Sequence, residues 1–159
     1  MAAAVYAVIT QSTKTYQELV TAKARLEKQG LTIPRRELVS GHMAVNLLWN
    51  TRDALQGFNV TSLHYWLDST VALHWVRGEG QYKQFVSNLI QKIREHSDVT
   101  CRYVTSQQNP ADLANRGGPV SEENHLWWSG PTWLGKPEEW PPDIVTKANE
   151  ESNVEAKAI

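Results

Sequence analysis

Leu63-His64-Tyr65-Trp66-Leu67-Asp68-Ser69 is the stretch on which the fold turns. Leu63, Tyr65 and Leu67 alternate with His64, Trp66 and Asp68, the pattern of a half-buried strand. Ser69 is a good helix N-cap, and a short helix to Arg77 follows before Gly78 and Gly80 break it. A strand that runs straight into a helix is the unit of an α/β domain. It also places Asp68 at the carboxyl end of a strand, where such sheets gather ligands and catalytic groups. An exposed capping aspartate is the ordinary alternative.

Working outward, residues 2–10 read as a strand that is apolar on both faces, with Ala3, Val5, Ala7 and Ile9 on one and Ala4, Tyr6 and Val8 on the other. Such a strand belongs in the middle of a covered sheet, with a neighbour on each edge. Gln11–Lys14 is turn-like. In 19–26, Val20, Ala22, Ala24 and Leu26 alternate with Thr21, Lys23 and Arg25, which favours a strand with one polar face over a helix. Pro34 opens a helix that carries Leu38, Val45, Leu48 and Leu55 on one face and ends at Gly57. Gly41 and Ala44 lie near that face and would allow close packing on a sheet. Tyr82, Phe85, Val86, Leu89, Ile90 and Ile93 predict a helix over 81–96. Residues 99–104 form a strand, and Asn109-Pro110 opens a short helix through Asn115, stopped by Gly117-Gly118. The order is strand, strand, helix, strand, helix, helix, strand, helix, an α/β domain with a mixed sheet.

The 159 residues carry a net charge of −1, which is not the footprint of a stand-alone nucleic-acid binder. The body to residue 135 is weakly basic and the segment 136–159 is acidic. That segment also holds Pro137, Pro141 and Pro142 and is expected to be disordered. No apolar run reaches the ~20 residues of a membrane helix, and the N-terminus lacks the basic leader of a signal peptide. A single cysteine, Cys101, excludes an internal disulfide and a cysteine zinc site. A reducing intracellular compartment fits, either cytoplasm or nucleus, and the sequon Asn59-Val60-Thr61 then reads as chance.

Few residues carry chemistry. The five histidines show no metal-ligand spacing, no phosphate-binding glycine loop is present, Ser69 lacks a G-x-S-x-G context, and Cys101 lies inside a strand as a packed thiol. Three carboxylates remain. Glu37 is read in the first turn of its helix, Asp68 after its strand, and Asp112 in the first turn after Asn109-Pro110. Each has an ordinary reading as a helix-dipole partner or a cap. Together they could converge, and a carboxylate cluster without cations calls for a hard ion such as Mg²⁺.

Four segments make the pattern specific: Thr32-Ile-Pro-Arg-Arg-Glu-Leu38, Trp66-Leu-Asp-Ser-Thr-Val71, Asn109-Pro-Ala-Asp-Leu-Ala-Asn-Arg-Gly117 and Leu126-Trp-Trp-Ser-Gly-Pro-Thr-Trp-Leu134. In this order they resemble the ribonuclease H-like region of BEL/Pao-type LTR retrotransposon polyproteins, over roughly residues 1–135. The resemblance implies an RNase H-like mixed sheet flanked by helices, with residues 19–26 as a strand. It implies a D-E-D-D set that binds two Mg²⁺ (or Mn²⁺) ions and hydrolyses the RNA strand of an RNA–DNA hybrid. By motif, Glu37, Asp68 and Asp112 are the catalytic and metal-binding members.

The family's first aspartate lies on a preceding strand, in a D-A-S-like motif. No Asp precedes Asp53 here, and Asp53 lies inside a helix. The resemblance therefore implies an N-terminally truncated domain with impaired catalysis, in which Met1 is an internal methionine of a longer frame. The strand edges at the gap would pair directly or stand open to aggregation. The division implied is an RNase H-like domain over 1–118, a tryptophan-rich extension over 119–135 and the acidic tail over 136–159. Lys23, Arg25, Arg35 and Arg36 are candidate phosphate contacts, with a solvated basic face as the alternative. Trp127, Trp128 and Trp133 read as packing more than as base-stacking platforms. Reverse transcriptase and integrase domains are implied neighbours in a longer chain. A co-opted, non-catalytic binding module and a polyprotein fragment are the competing readings.

Overall fold

The computed structural model describes residues 1–96 and 98–158. Two strands open the chain, β1 (Ala2–Gln11) and β2 (Lys14–Ala24), paired antiparallel through the two-residue turn Ser12–Thr13. Ser12 takes a φ of 53°, the left-handed conformation that such tight hairpins demand at their first central residue. The 22-residue helix α1 (Ile33–Ala54) follows, with Thr32 as its N-cap and a proline in its first turn. Next come β3 (Leu63–Leu67), α2 (Thr70–Arg77), α3 (Gln84–Arg94) and β4 (Val99–Tyr103). β3 and β4 pair in parallel, which requires a crossover, and α2 with α3 provides it. Short helices α4 (Ala111–Arg116), α5 (His125–Ser129) and α6 (Glu150–Asn153) complete the chain.

The expected order of elements is present. The mixed sheet is present in two halves: among the described residues β1 pairs only with β2, and β3 only with β4. β1 is therefore not the doubly flanked strand its apolar faces predict. Its far end projects, with Val8 45% and Ile9 44% exposed. Nor do β1 and β3 close up against each other.

The core lies beneath β3–β4. Leu38 and Val45 of α1, Tyr65 and Leu67 of β3, Trp75 of α2, and Val86, Ile90 and Ile93 of α3 form one buried cluster. Gly41 of α1 is what lets that helix lie flat on β3. A Cβ there would sit 3.1 Å from Leu67 Cδ2, closer than most side-chain contacts. Alternation along β3 sends Tyr65 and Leu67 to the α1 side, and His64 and Trp66 to the opposite side. There Trp66 meets Trp133 and Trp140, with ring centroids at 5.6 and 5.0 Å. The 126–140 segment thus forms a second cover.

The same segment holds the hairpin. Tyr6 Oη donates to Trp127 O at 2.7 Å. Gln17 Nε2 donates to Ser129 O and Pro131 O, while its Oε1 accepts from Gly135 N. Gly130, at φ 75°, ends α5 against the Tyr6 ring. Of the tryptophans read as packing residues, Trp133 is buried and donates to Gln108 Oε1, whereas Trp128 is 45% exposed.

Residues 136–158 depart from the expectation of disorder and lie on the body. Trp140 packs edge-on against Trp66 and His64. Arg77 reaches Asp143 and Ile144 O. Trp75 Nε1 donates to Ser152 O, and Glu155, 3% exposed, accepts from Nε and Nη2 of Arg35 at 2.6 and 3.0 Å. Composition averages over the segment and misses these few anchoring residues. The tail also shortens the predicted 81–96 helix. Lys83 N donates to Glu155 O, and Tyr82 bridges to Ala156, so 81–83 are extended and α3 begins at Gln84.

Candidate functional site

A cavity of about 850 Å³ lies between the two half-sheets. Every residue from Ala2 to Thr10 and from Thr61 to Ser69 lines it, so it is bounded by the edges of β1 and β3 rather than by one face. α1 contributes Glu37, Ser40, Ala44 and Leu48. The opposite cover contributes Pro131, Trp133, Leu134 and Trp140. Glu37, Asp68 and Asp112, which come from three separate elements, all face this one cavity.

Each carboxylate is positioned by its local fold. Asp68 is the residue between the last pair of β3 and the N-cap of α2, where Ser69 Oγ accepts from Ala72 N at 3.1 Å. Glu37 lies just beyond the first turn of α1, not within it, so helix-dipole stabilisation is weaker than its sequence position suggests. Its carboxyl is a weaker acid than usual. Burial is the main cause, and the charges of Asp68 and Glu151 add to it, while the neighbouring Ser69 hydroxyl pulls the other way. Asp112 follows the Asn109-Pro110 corner, where Asn109 Oδ1 accepts from Ala111 N. It pairs with Arg116, four residues on, at 2.7 Å.

Glu37 and Asp68 therefore share a field of like charge, and Asp112 already has a cation. Among the described residues no group of three His, Cys, Asp or Glu side chains is gathered closely enough to hold a metal ion. The donor chemistry suits Mg²⁺: two mutually repelling carboxylates facing one cavity. Glu37 and Asp68 are the pair that fits it, and Asp112 would have to leave Arg116 to join them.

The basic candidates separate. Arg35 is withdrawn from phosphate contact by its paired hydrogen bonds to Glu155 and by stacking over Phe85. Arg36 bonds Glu27 and Leu31 O. Lys23 and Arg25, on and just after β2, are exposed. Cys101 is partly buried against the core, and that burial pushes its thiol up to about 12 and leaves it an inert packing group. Residues that sequence reasoning missed are Gln17 and Glu155. A polar residue on a strand and an acid in a polar tail carry no local signal of the partners they meet 112 to 120 residues away.

Residues 1–69 match the family model described as Pao retrotransposon-like RNaseH-like domain. This is the family that the four motifs resemble, and the α/β architecture with its two small sheets is consistent with an RNase H-like fold. The matched segment contains Glu37 and Asp68; Asp112 lies beyond it and rests on its own motif. No curated protein and no solved structure matches the chain. Among the described residues no helix is long and apolar enough to cross a membrane.

Proposed function

We propose that the chain is a retroelement-derived, nucleic-acid-directed RNase H-like domain whose chemistry is metal-assisted hydrolysis of the RNA strand of an RNA–DNA hybrid, carried out weakly. The observation that supports this is the arrival of Glu37, Asp68 and Asp112 from three elements at one cavity. Glu37 and Asp68 would hold Mg²⁺ or Mn²⁺, with Asp112 as the third ligand. A bound ion there supplies a Lewis acid and a water of lowered pKa beside a phosphodiester.

The protein's own residues set the limits. Glu37 gains a proton more readily than an ordinary glutamate, so cation affinity falls as pH drops through its raised range. Asp112 has to exchange Arg116 for the ion. With Arg35 committed to Glu155, backbone contacts fall to Lys23, Arg25 and the partly engaged Arg36, a small set that gives weak binding with a shallow salt dependence. Reverse transcriptase and integrase domains are the expected neighbours if the domain acts within a polyprotein.

A second reading, a binding module without catalysis, is favoured by the absence of a preformed three-ligand cluster among the described residues. Cleavage of a labelled RNA–DNA hybrid in Mg²⁺ and in Mn²⁺ decides between them, with Asp68→Asn as control. The catalytic reading expects slow cleavage that the substitution abolishes. Metal-independent hybrid binding without cleavage would establish the binding module instead.

A further inference from the structure

The segment 149–157 docks on the body with polar side chains inward. Its buried residues are Ser152, 2% exposed, and Glu155, 3% exposed, whereas Val154 between them is 60% exposed. Among the described residues of the segment no apolar side chain is buried. Hydrogen bonds hold it instead: Trp75 Nε1 to Ser152 O, Lys83 N to Glu155 O and Lys157 N to Gln81 O, with a capping box between Asn149 and Ser152 shaping α6. Apolar burial, the main adhesive of a permanent cover, is missing here. Hydrogen bonds of this kind are exchanged for bonds to water at small net cost.

The charged contact has the form of a ligand in a site. Arg35 Nε and Nη2 donate to Glu155 Oε1 and Oε2, the two-pronged geometry that a guanidinium offers to a carboxylate and to a phosphate alike. The guanidinium also lies over the Phe85 ring at 4.7 Å, so the fork has a support besides Glu155. Arg35 stands two residues before Glu37 on α1, at the same end of the helix and outside the cavity. The segment laid over it carries three glutamates, Glu150, Glu151 and Glu155, against one lysine, Lys157. An acidic chain seated on a cation is an intramolecular competitor of a polyanion.

We propose that residues 149–157 are an autoinhibitory strap, in which Glu155 occupies an oxyanion site on Arg35 that a backbone phosphate of the nucleic acid takes when the strap lifts. This rests on the nucleic-acid reading above and names how that surface is regulated. The exchange leaves no buried charge alone: Arg35 gives up two carboxylate oxygens and gains two phosphate oxygens, and Glu155 passes into water. Apparent affinity is then that of the open form scaled by the fraction of molecules that are open. Weak binding by the closed chain thus belongs to the strap.

The test uses the full chain and a short fluorescein-labelled RNA–DNA hybrid, read by fluorescence anisotropy without divalent metal. Glu155→Gln should bind about fivefold tighter than the parent or better, with a salt slope steeper by about one. The gain should vanish in the double variant Arg35→Gln, Glu155→Gln. Glu150→Gln makes the same change of net charge away from Arg35 and should gain far less. In the parent, saturating hybrid should speed amide exchange at Lys83 and Lys157, whose donors the strap engages. In Mg²⁺, Glu155→Gln should lower KM for cleavage and leave kcat unchanged, because Arg35 lies outside the cavity. If Glu155→Gln does not fold, Asn149→Ala, which loosens α6 and leaves Arg35 and Glu155 in place, should tighten binding in its stead, and the exchange pattern decides with it. Equal affinity of parent and variant, equal gains from Glu150→Gln and Glu155→Gln, or unchanged exchange at Lys83 and Lys157 in the complex overturns the strap, while hybrid binding by the parent leaves the nucleic-acid reading standing. Absence of hybrid binding by every form overturns both.

Discussion

The two half-sheets have the same number of strands and very different foundations. β3–β4 rests on a contiguous core in which Leu38, Trp75 and Val86 are fully buried. β1–β2 buries only Ala3 and Val5, exposes Val8, Ile9, Tyr16 and Val20, lies against α1, and is tied through Tyr6 and Gln17 to the 126–135 segment. One half is stabilised by apolar burial, which is cooperative and non-directional. The other has a smaller apolar contact with α1 and adds a few directional hydrogen bonds, each worth about 0.5–1.5 kcal/mol net. An isolated two-stranded hairpin is marginal in water, so the hairpin borrows its stability from α1 and from the cover that also closes the cavity.

The largest way to break this contrast is Trp75→Ala. It removes a fully buried ring and the hydrogen bond to Ser152 O. A loss of about 3–5 kcal/mol is expected, read by urea unfolding, with both half-sheets melting together because the core supports everything. Gln17→Ala is expected to cost less, about 1–3 kcal/mol, since it leaves two carbonyls and one amide without their partner. Its effect should be local. Hydrogen–deuterium exchange should rise in β1–β2 and stay unchanged in β3–β4, and equal loosening of both would show that the halves are not separable.

Glu37→Gln sharpens the comparison at the seam between the halves. The folded carboxyl has a raised pKa, so its favourable contribution is complete below the unfolded value of about 4.3 and is lost as pH rises through the folded value. The amide escapes that loss. The variant should melt slightly above the parent at pH 7 and lose the advantage near pH 4. A parent that is the more stable of the two at pH 7 would mean that the carboxylate is compensated.

Much of this was legible in the sequence because it is local. Alternation found β3, period 3.6 found α1 and α3, and Asp68-Ser69 marked the strand-to-helix junction. That Glu37 and Asp68 face one cavity is what the family resemblance led one to expect. What stayed hidden depends on partners distant in the chain. Two apolar faces on β1 imply two flanking neighbours, and only coordinates show that one edge borders a cavity. The low hydropathy of the tail suggested disorder because averaging weighs Glu155 as a solvated charge; its burial follows from Arg35, 120 residues earlier. Cation placement had the same problem, since Arg35 reads as available until its partner is known.

The strap formed by the tail also bears on timing. Arg35 and Glu155 are 120 residues apart in sequence, and Trp75 and Ser152 are 77 apart, whereas the β1–β2 hairpin closes over two turn residues. Loop-closure entropy grows with separation, so contacts of this span form late on the way to the native state. Interactions absent from the folding transition state leave the folding rate nearly unchanged and slow unfolding. The strap therefore governs how long a folded molecule lasts, rather than how quickly it is made.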